Sequence, residues 1–342
     1  MTQKKYKVHS QKGILLNANE SSKNLSSAIR KEIQEAIFDI DFNRYPDDAC
    51  SLLCETYGNW IGVPASCILA GNGSDQHLGF LIGMFLEKGK KLLTLSPDFG
   101  MYDYYASSYH ADVVRFNVDP LEPMDVDELI SFGKKEDPQL ILFSNPNNPT
   151  GHYVSNEQIQ KICAAFACPV VIDEAYGEFA PDSCLSLLET CQNLYITRTL
   201  SKAFGLASAR IGFLISSLSN MEKLRDYHVP YSVNSLSMAA ATIVLKHASE
   251  FEEEIDRIKK ERDQFLSKTY TSLSLSKSDA NFLLIQTVKI SKLLSMFAQK
   301  GLCVRSYENK NYCRVTIGTT QENRQIQEVL DAFEKEETYA NE

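Results

Sequence analysis

Short, continuously apolar runs recur through the first two thirds of the chain, each closed by turn residues and separated by stretches with helical spacing. Six stand out: Lys91–Leu95, Ala111–Phe116, Leu140–Phe143, Pro169–Ile172, Leu194–Thr197 and Ile211–Ile215. A strand with one wet face alternates polar and apolar residues, so runs with little or no alternation belong to a sheet covered on both sides. Between them lie helical patterns such as Asn156–Ala167, where Ile159, Ile162, Cys163 and Phe166 repeat at helical spacing. This alternation predicts an α/β fold with a mostly parallel central sheet. Ligands of such sheets gather at the carboxyl ends of the strands. Asp173 and the turn at 199–202 fall there.

Beyond about residue 230 the texture changes. The spacing predicts one charged amphipathic helix from roughly Ser237 to Tyr270. Strands follow near Asn281–Ile285, Leu302–Arg305 and Arg314–Ile317, with a helix near Ile290–Gln299. A last helix carries Ile326, Val329, Leu330 and Phe333 on one face. This reads as a smaller α+β domain. A length of 342 residues suits two domains. The expected division is an N-terminal arm at 1–40 that joins the small domain, a large domain at 41–240 and the small domain at 241–342.

A net charge of −9 argues against nucleic acid or an anionic membrane as the main partner. The longest apolar run, Phe80–Leu86, falls far short of the ~20 residues of a membrane span. The opening Met1–Lys7 is polar and leads into no apolar segment, so no leader is expected. Nine cysteines show no C-x-x-C pair and no zinc spacing, which suits reduced thiols in a cytoplasmic protein with no metal site.

Chemistry concentrates in five motifs. Thr199-Leu-Ser-Lys-Ala-Phe-Gly205 and the following Arg210 set Lys202 among hydroxyls and small residues just after a strand. The amine of Lys202 could join a carbonyl cofactor, and Thr199, Ser201 and Arg210 could hold an anion such as phosphate. Gly71-Asn-Gly-Ser-Asp75 precedes a helical pattern, where backbone amides and the helix dipole favour an anion. Asn145-Pro-Asn-Asn-Pro-Thr-Gly151 holds Asn148 between two prolines, so its amide can be fixed toward a ligand oxygen. Val170-Val-Ile-Asp-Glu-Ala-Tyr176 ends a buried strand in a carboxylate. An unpaired buried Asp173 is costly, and a cation such as a protonated pyridine nitrogen resolves the cost. Ser96-Pro-Asp-Phe-Gly-Met-Tyr102 offers an aromatic ring to stack on a planar ligand.

In this order and spacing, the motifs resemble those of fold-type I pyridoxal-phosphate enzymes of the class I/II aminotransferase superfamily. Within it, the chain is most similar to the histidinol-phosphate aminotransferase family. The likeness runs from Leu16-Asn-Ala-Asn-Glu20 through Arg44-Tyr-Pro-Asp47 to Arg314-Val-Thr-Ile-Gly318. It implies pyridoxal 5′-phosphate as cofactor, bound by the large domain, with Lys202, Asp173 and Tyr176 as catalytic residues. Lys202 would carry the cofactor and later act as general base. Asp173 would face the ring nitrogen. Tyr176 and Asn148 would hydrogen-bond the ring's phenolic oxygen, and Phe99 or Tyr102 would stack on the ring. Gly73, Ser74, Asp75, Thr199, Ser201 and Arg210 would bind the phosphate. Tyr45 would reach the phosphate of a neighbouring subunit, which implies a homodimer with shared active sites. Arg314, whose planar fork suits a carboxylate, would bind the substrate, joined by Asn19 and Arg305.

One departure bears on the substrate. The family usually has a proline after the Asn-Glu of the arm, with an aromatic residue nearby. Ser21 and Ser22 stand there in this chain. The expected reaction is transamination between histidinol phosphate and 2-oxoglutarate. A broader, aromatic amino-acid aminotransferase and a threonine-phosphate decarboxylase are the alternatives. A cofactor-sensing transcription regulator shares the fold but needs an N-terminal DNA-binding module, and the motifs here begin by Asn17.

Overall fold

A computed structural model of the chain describes residues 12–340. Met1–Lys7 and the first part of the expected arm lie outside the described residues. Strands are numbered β1 (Ile14–Leu16), β2 (Ile68–Asn72), β3 (Lys91–Ser96), β4 (Asp112–Asn117), β5 (Leu140–Ser144), β6 (Val170–Asp173), β7 (Leu194–Thr199), β8 (Ile211–Ser216), β9 (Ser274–Leu275), β10 (Phe282–Gln286), β11 (Leu302–Ser306) and β12 (Tyr312–Thr316). Helices are α1 (Ser27–Phe38), α2 (Ser51–Ile61), α3 (Ser74–Phe85), α4 (Met101–Ser108), α5 (Val126–Glu136), α6 (Asn156–Ala165), α7 (Leu218–Arg225), α8 (Ser235–Lys246), α9 (Glu252–Leu266), α10 (Ile290–Gln299) and α11 (Thr320–Ala340).

All six apolar runs become strands of one seven-stranded sheet, ordered β2-β8-β7-β6-β5-β3-β4. Neighbours are parallel except around β8, which is antiparallel to β2 and β7. Every residue of β5, β6, β7 and β8 is buried. Their side chains alternate between two cores. Ile141, Phe143, Val170, Ile172 and Ile196 join a core that continues into the second sheet through Phe282 and Val315. Leu140, Leu142, Val171 and Leu214 join a separate core with Leu78, Leu81 and Met221 of α3 and α7. Burying each such side chain contributes roughly 1.5–3 kcal/mol. A charge placed at Val171 would therefore break the sheet at its centre.

The second sheet has five strands, β1-β11-β12-β10-β9. It is antiparallel except where β1 runs parallel to β11 and so ties the N-terminal segment to the C-terminal third. Helix α6 begins with a capping box, Ser155 and Gln158 each accepting from the other's backbone. It ends at Ala165, two residues before the expected stop, because Phe166 turns extended.

The single helix expected over 237–270 is a correction. The structure has two helices, α8 and α9, joined by a 3₁₀ turn at Ala248–Phe251. The segment contains neither glycine nor proline, so nothing local marks a stop. The break follows packing: α8 buries Ala241–Leu245 while its neighbours are α1, α2 and β8, whereas α9 packs on α11.

Candidate active site

The sheet topology gathers the functional side chains at one edge. Ser144, Asp173 and Thr199 end β5, β6 and β7. Because β8 runs the other way, its start, with Arg210 just before it, lies at the same edge. Strand β2 delivers Gly73 and α3 there as well. The result is a cleft of about 1100 Å³ between the two sheets. It is lined by Ser74, Asp75, Phe99, Asn148, Asp173, Tyr176, Thr199, Ser201, Lys202, Arg210, Arg305 and Arg314.

Lys202 follows β7, and its Nζ donates to the Ala18 carbonyl at 2.7 Å, so the arm crosses the cleft beside the amine. The residue keeps partial exposure through the cleft. Loss of water around the amine, then the charge of Arg314, push it down to about 8. An amine at that value is largely unprotonated in mild base and able to react with a carbonyl.

Asp173 is 2% exposed. Its Oδ2 accepts from the Tyr102 hydroxyl at 2.9 Å and its Oδ1 from Thr197 Oγ1 at 3.0 Å. Both donors are neutral, and burial pushes the carboxyl up to about 6. The geometry therefore offers a carboxylate in need of a cation, which a protonated pyridine nitrogen would supply.

An anion cradle lies beside it. Gly73, at φ +82°, is the N-cap of α3 and brings no side chain to the helix's first amides. Arg210 Nη2 pairs with Asp75 at 2.9 Å, and Nη1 donates to Ser201 Oγ at 3.3 Å. Ser201 and Thr199 share a hydroxyl contact of 3.0 Å. Two glycines make room: a Cβ on Gly73 would lie 2.8 Å from Arg210 Nη2, and one on Gly212 would lie 2.1 Å from Ser74 N. Gly212 carries no motif of its own in the sequence, where its signal is only its place one residue into an apolar strand.

The far wall comes from the second sheet. Arg314 of β12 is 6% exposed, hydrogen-bonds Asn148 Oδ1 through Nη1 and gives Nη2 to the Asn17 carbonyl at 2.8 Å. Its buried Nε has no partner. Arg305 lines the cleft with its guanidinium 5.6 Å from the Tyr307 ring.

Three residues sit differently from a simple lining role. Asn19 is fully buried behind the wall, where its Nδ2 donates to the Tyr176 hydroxyl at 2.9 Å and its Oδ1 accepts from Thr316 Oγ1. It supports Tyr176 and does not itself line the cleft. Tyr102 is 1% exposed, packed in the core beneath Asp173, while Phe99 lines the cleft, its ring 5.7 Å from that of Tyr102. Of the two aromatics, Phe99 is the one placed to meet a ligand face. Tyr45 is 82% exposed and stacks on Tyr231 at 4.8 Å, away from this chain's own cleft.

Ser21 closes a turn onto Lys23, and neither Ser21 nor Ser22 lines the cleft. Asp98, the neighbour of Phe99 in the Ser96–Tyr102 motif, does line it. Glu174 turns away from the site and is held by Arg198, Ser183 and the Cys184 amide. The nine cysteines form no disulfide and no metal-ligating cluster occurs among the described residues. No described helix is long and apolar enough to cross a membrane.

The chain matches the model of the "Aminotransferase class I and II" family over residues 11–333. A histidinol-phosphate aminotransferase of Clostridium novyi is 36% identical over 318 residues, spanning 92% of this chain and 89% of the relative. The crystal structure of histidinol-phosphate aminotransferase from Sinorhizobium meliloti with pyridoxal-5′-phosphate superposes with a TM-score of 0.82 at 23% identity, over 94% of this chain and 92% of that one. The L-threonine-O-3-phosphate decarboxylase of Porphyromonas gingivalis shares the fold too, with a TM-score of 0.79 at 19% identity over 94% and 99% of the two chains. The fold is thus that of fold-type I aminotransferases, and the chain, an aminotransferase, belongs to the class I and II aminotransferase family.

Proposed function

We propose that this protein binds pyridoxal 5′-phosphate and transfers an amino group between L-histidinol phosphate and 2-oxoglutarate. The observation that carries the cofactor reading is the meeting of three things in one cleft: an amine near 8, a buried carboxylate lacking a cation, and an anion cradle. These residues match the aldehyde, ring nitrogen and phosphate of that cofactor. The substrate reading is supported by relatives 33% to 36% identical that carry the histidinol-phosphate aminotransferase name.

Bound pyridoxal phosphate supplies an electron-accepting ring that makes the proton beside a substrate's amino group removable. Lys202 would hold the cofactor through its Nζ and, once the substrate's amine has displaced it, its freed Nζ would take that proton and return it at the other carbon, a task suited to an amine poised near working pH. Asp173 keeps the ring nitrogen protonated, with Tyr102 and Thr197 fixing its two oxygens. Tyr176, steadied by Asn19, and Asn148 orient the ring oxygen. Phe99, which lines the cleft, would offer its face to the ring. Gly73, Ser74, Asp75, Thr199, Ser201 and Arg210 hold the phosphate at the start of α3. Arg314 grips the substrate's anionic end. Arg305, which lines the same cleft beside Tyr307, suits a second cation for a substrate phosphate.

The working unit in this reading is a homodimer with shared active sites. Phe38, Phe42 and Tyr45 are 90%, 72% and 82% exposed, and Tyr227, Val229 and Tyr231 add to the exposed apolar surface. A second copy covering it would bring Tyr45 toward the partner's cofactor phosphate. Unpaired thiols suit a reducing, cytoplasmic setting.

A donor panel on purified, pyridoxal-loaded protein tests the substrate. Absorbance of the lysine-bound cofactor should fall with histidinol phosphate and return with 2-oxoglutarate, with little response to phenylalanine or tyrosine. Rapid turnover of aromatic donors, or carbon dioxide release from threonine phosphate, without a response to histidinol phosphate would replace this substrate.

A further inference from the structure

We infer that Asp98 is a positioning residue for Arg314, acting through Ser144 and Asn148; this rests on the aminotransferase reading and extends it. Asp98 follows β3 and is half-buried in the cleft wall. Its Oδ1 accepts the Ser144 hydroxyl at 2.5 Å, and its Oδ2 accepts the Ser144 amide at 3.2 Å. Because the Ser144 hydroxyl proton is committed to Asp98, its oxygen is free to accept from the Asn148 amide, at 2.9 Å. That bond fixes the 145–151 turn at Asn148. Asn148 Oδ1 in turn accepts from Arg314 Nη1, and Arg314 Nη2 reaches the Asn17 carbonyl.

The chain of bonds therefore runs from the first sheet, through its β5 turn, to the arginine presented by the second sheet. Arg314 lies on a strand that belongs to the other sheet, so its aim at the cleft depends on what the first sheet holds out to it. Asparagine at 98 keeps the shape and breaks the logic. With its NH2 toward Ser144 Oγ the hydroxyl loses the acceptor for its proton, and with its NH2 toward the Ser144 amide two donors face each other, so either orientation loosens Ser144 beneath Asn148.

The test uses cofactor-loaded protein with D98N, S144A and the double variant. It reads kcat and KM for 2-oxoglutarate, cofactor affinity, and the dissociation constant of glutarate by calorimetry. Glutarate carries the carboxylates but has no oxo group to react. D98N should raise KM and the glutarate constant about tenfold, the size of a lost buried hydrogen bond, with a smaller loss of cofactor affinity because Asn148 also meets the ring oxygen. The double variant should bind glutarate no more weakly than S144A, since both substitutions cut one chain. An unchanged glutarate constant in D98N, or full additivity with S144A, would overturn the proposal. Should D98N fail to fold, S144A alone carries the test, with the same tenfold loss expected and an unchanged constant refuting it. Wild-type protein that takes up neither pyridoxal phosphate nor glutarate would instead remove the aminotransferase reading.

Discussion

Asp173→Asn should make the cofactor-free protein more stable while destroying its activity. Burial raises the Asp173 carboxyl from 3.8 to about 6, with Tyr102 and Thr197 only partly opposing the rise. At pH 8 the native state must therefore carry a charge it disfavours by about 2 pH units, or about 3 kcal/mol. Asparagine removes the charge but presents an NH2 to one of the two hydroxyl donors, which costs about 1 kcal/mol. The net is a gain of about 2 kcal/mol for the variant. The sign depends on pH. Between 3.8 and about 6 the native wild type binds more protons than the unfolded chain, so its stability falls as pH rises through that window. Below 3.8 the carboxyl is neutral in both states, and the variant should be the weaker by about 1 kcal/mol. Urea unfolding of cofactor-free protein at pH 8 and near pH 3.8 reads both ends. In the loaded enzyme the order reverses, with turnover down by about a hundredfold or more, because the ring nitrogen loses its counter-charge. A variant less stable than wild type by the same margin at both pH values would refute the reasoning that Asp173 is held charged at a cost.

Cofactor-free protein should react with pyridoxal phosphate at a rate that rises through pH of about 8, where the amine of Lys202 loses its proton. The same shift makes stability rise with pH between about 8 and 10.5, since the native state sheds that proton first; a stopped-flow profile still climbing without inflection at pH 10 would place the amine in ordinary solvent. Gly212→Ala puts a Cβ 2.1 Å from Ser74 N, so cofactor affinity should drop by about tenfold or more in a titration. Phe38→Glu should shift the sedimentation coefficient to that of a monomer and weaken cofactor retention; an unaltered dimer would move the interface elsewhere.

Much of this architecture was legible because β5 to β8 are short, apolar throughout and punctuated by turns. Burial on both faces leaves few other ways to satisfy such segments. Lys202, Asp173, Asn148 and Arg210 were legible for a related reason: polar groups at the ends of such strands must find partners, and the topology gives them one another. What escaped the sequence was set by packing across distant segments. The stop between α8 and α9 has no local signal and arises because the two helices pack on different neighbours. Tyr102 and Phe99 are equivalent as aromatics, and only the helical turn between them decides that one lies under Asp173 and the other faces the cleft. Asn19 supports Tyr176 from 157 positions away. Asp98 drew attention only as the residue before Phe99, since its bonds to Ser144 depend on the pairing of β3 with β5.

Borohydride reduction of pyridoxal-loaded protein, followed by peptide mass mapping, asks whether a covalent link forms at the amine in question. The added mass should fall on the peptide containing Lys202 alone, and the Lys202→Ala variant should fold, bind the cofactor reversibly and carry no added mass. Label on another lysine, or none on a protein that turns over its substrates, would show that the chemistry is not built around Lys202.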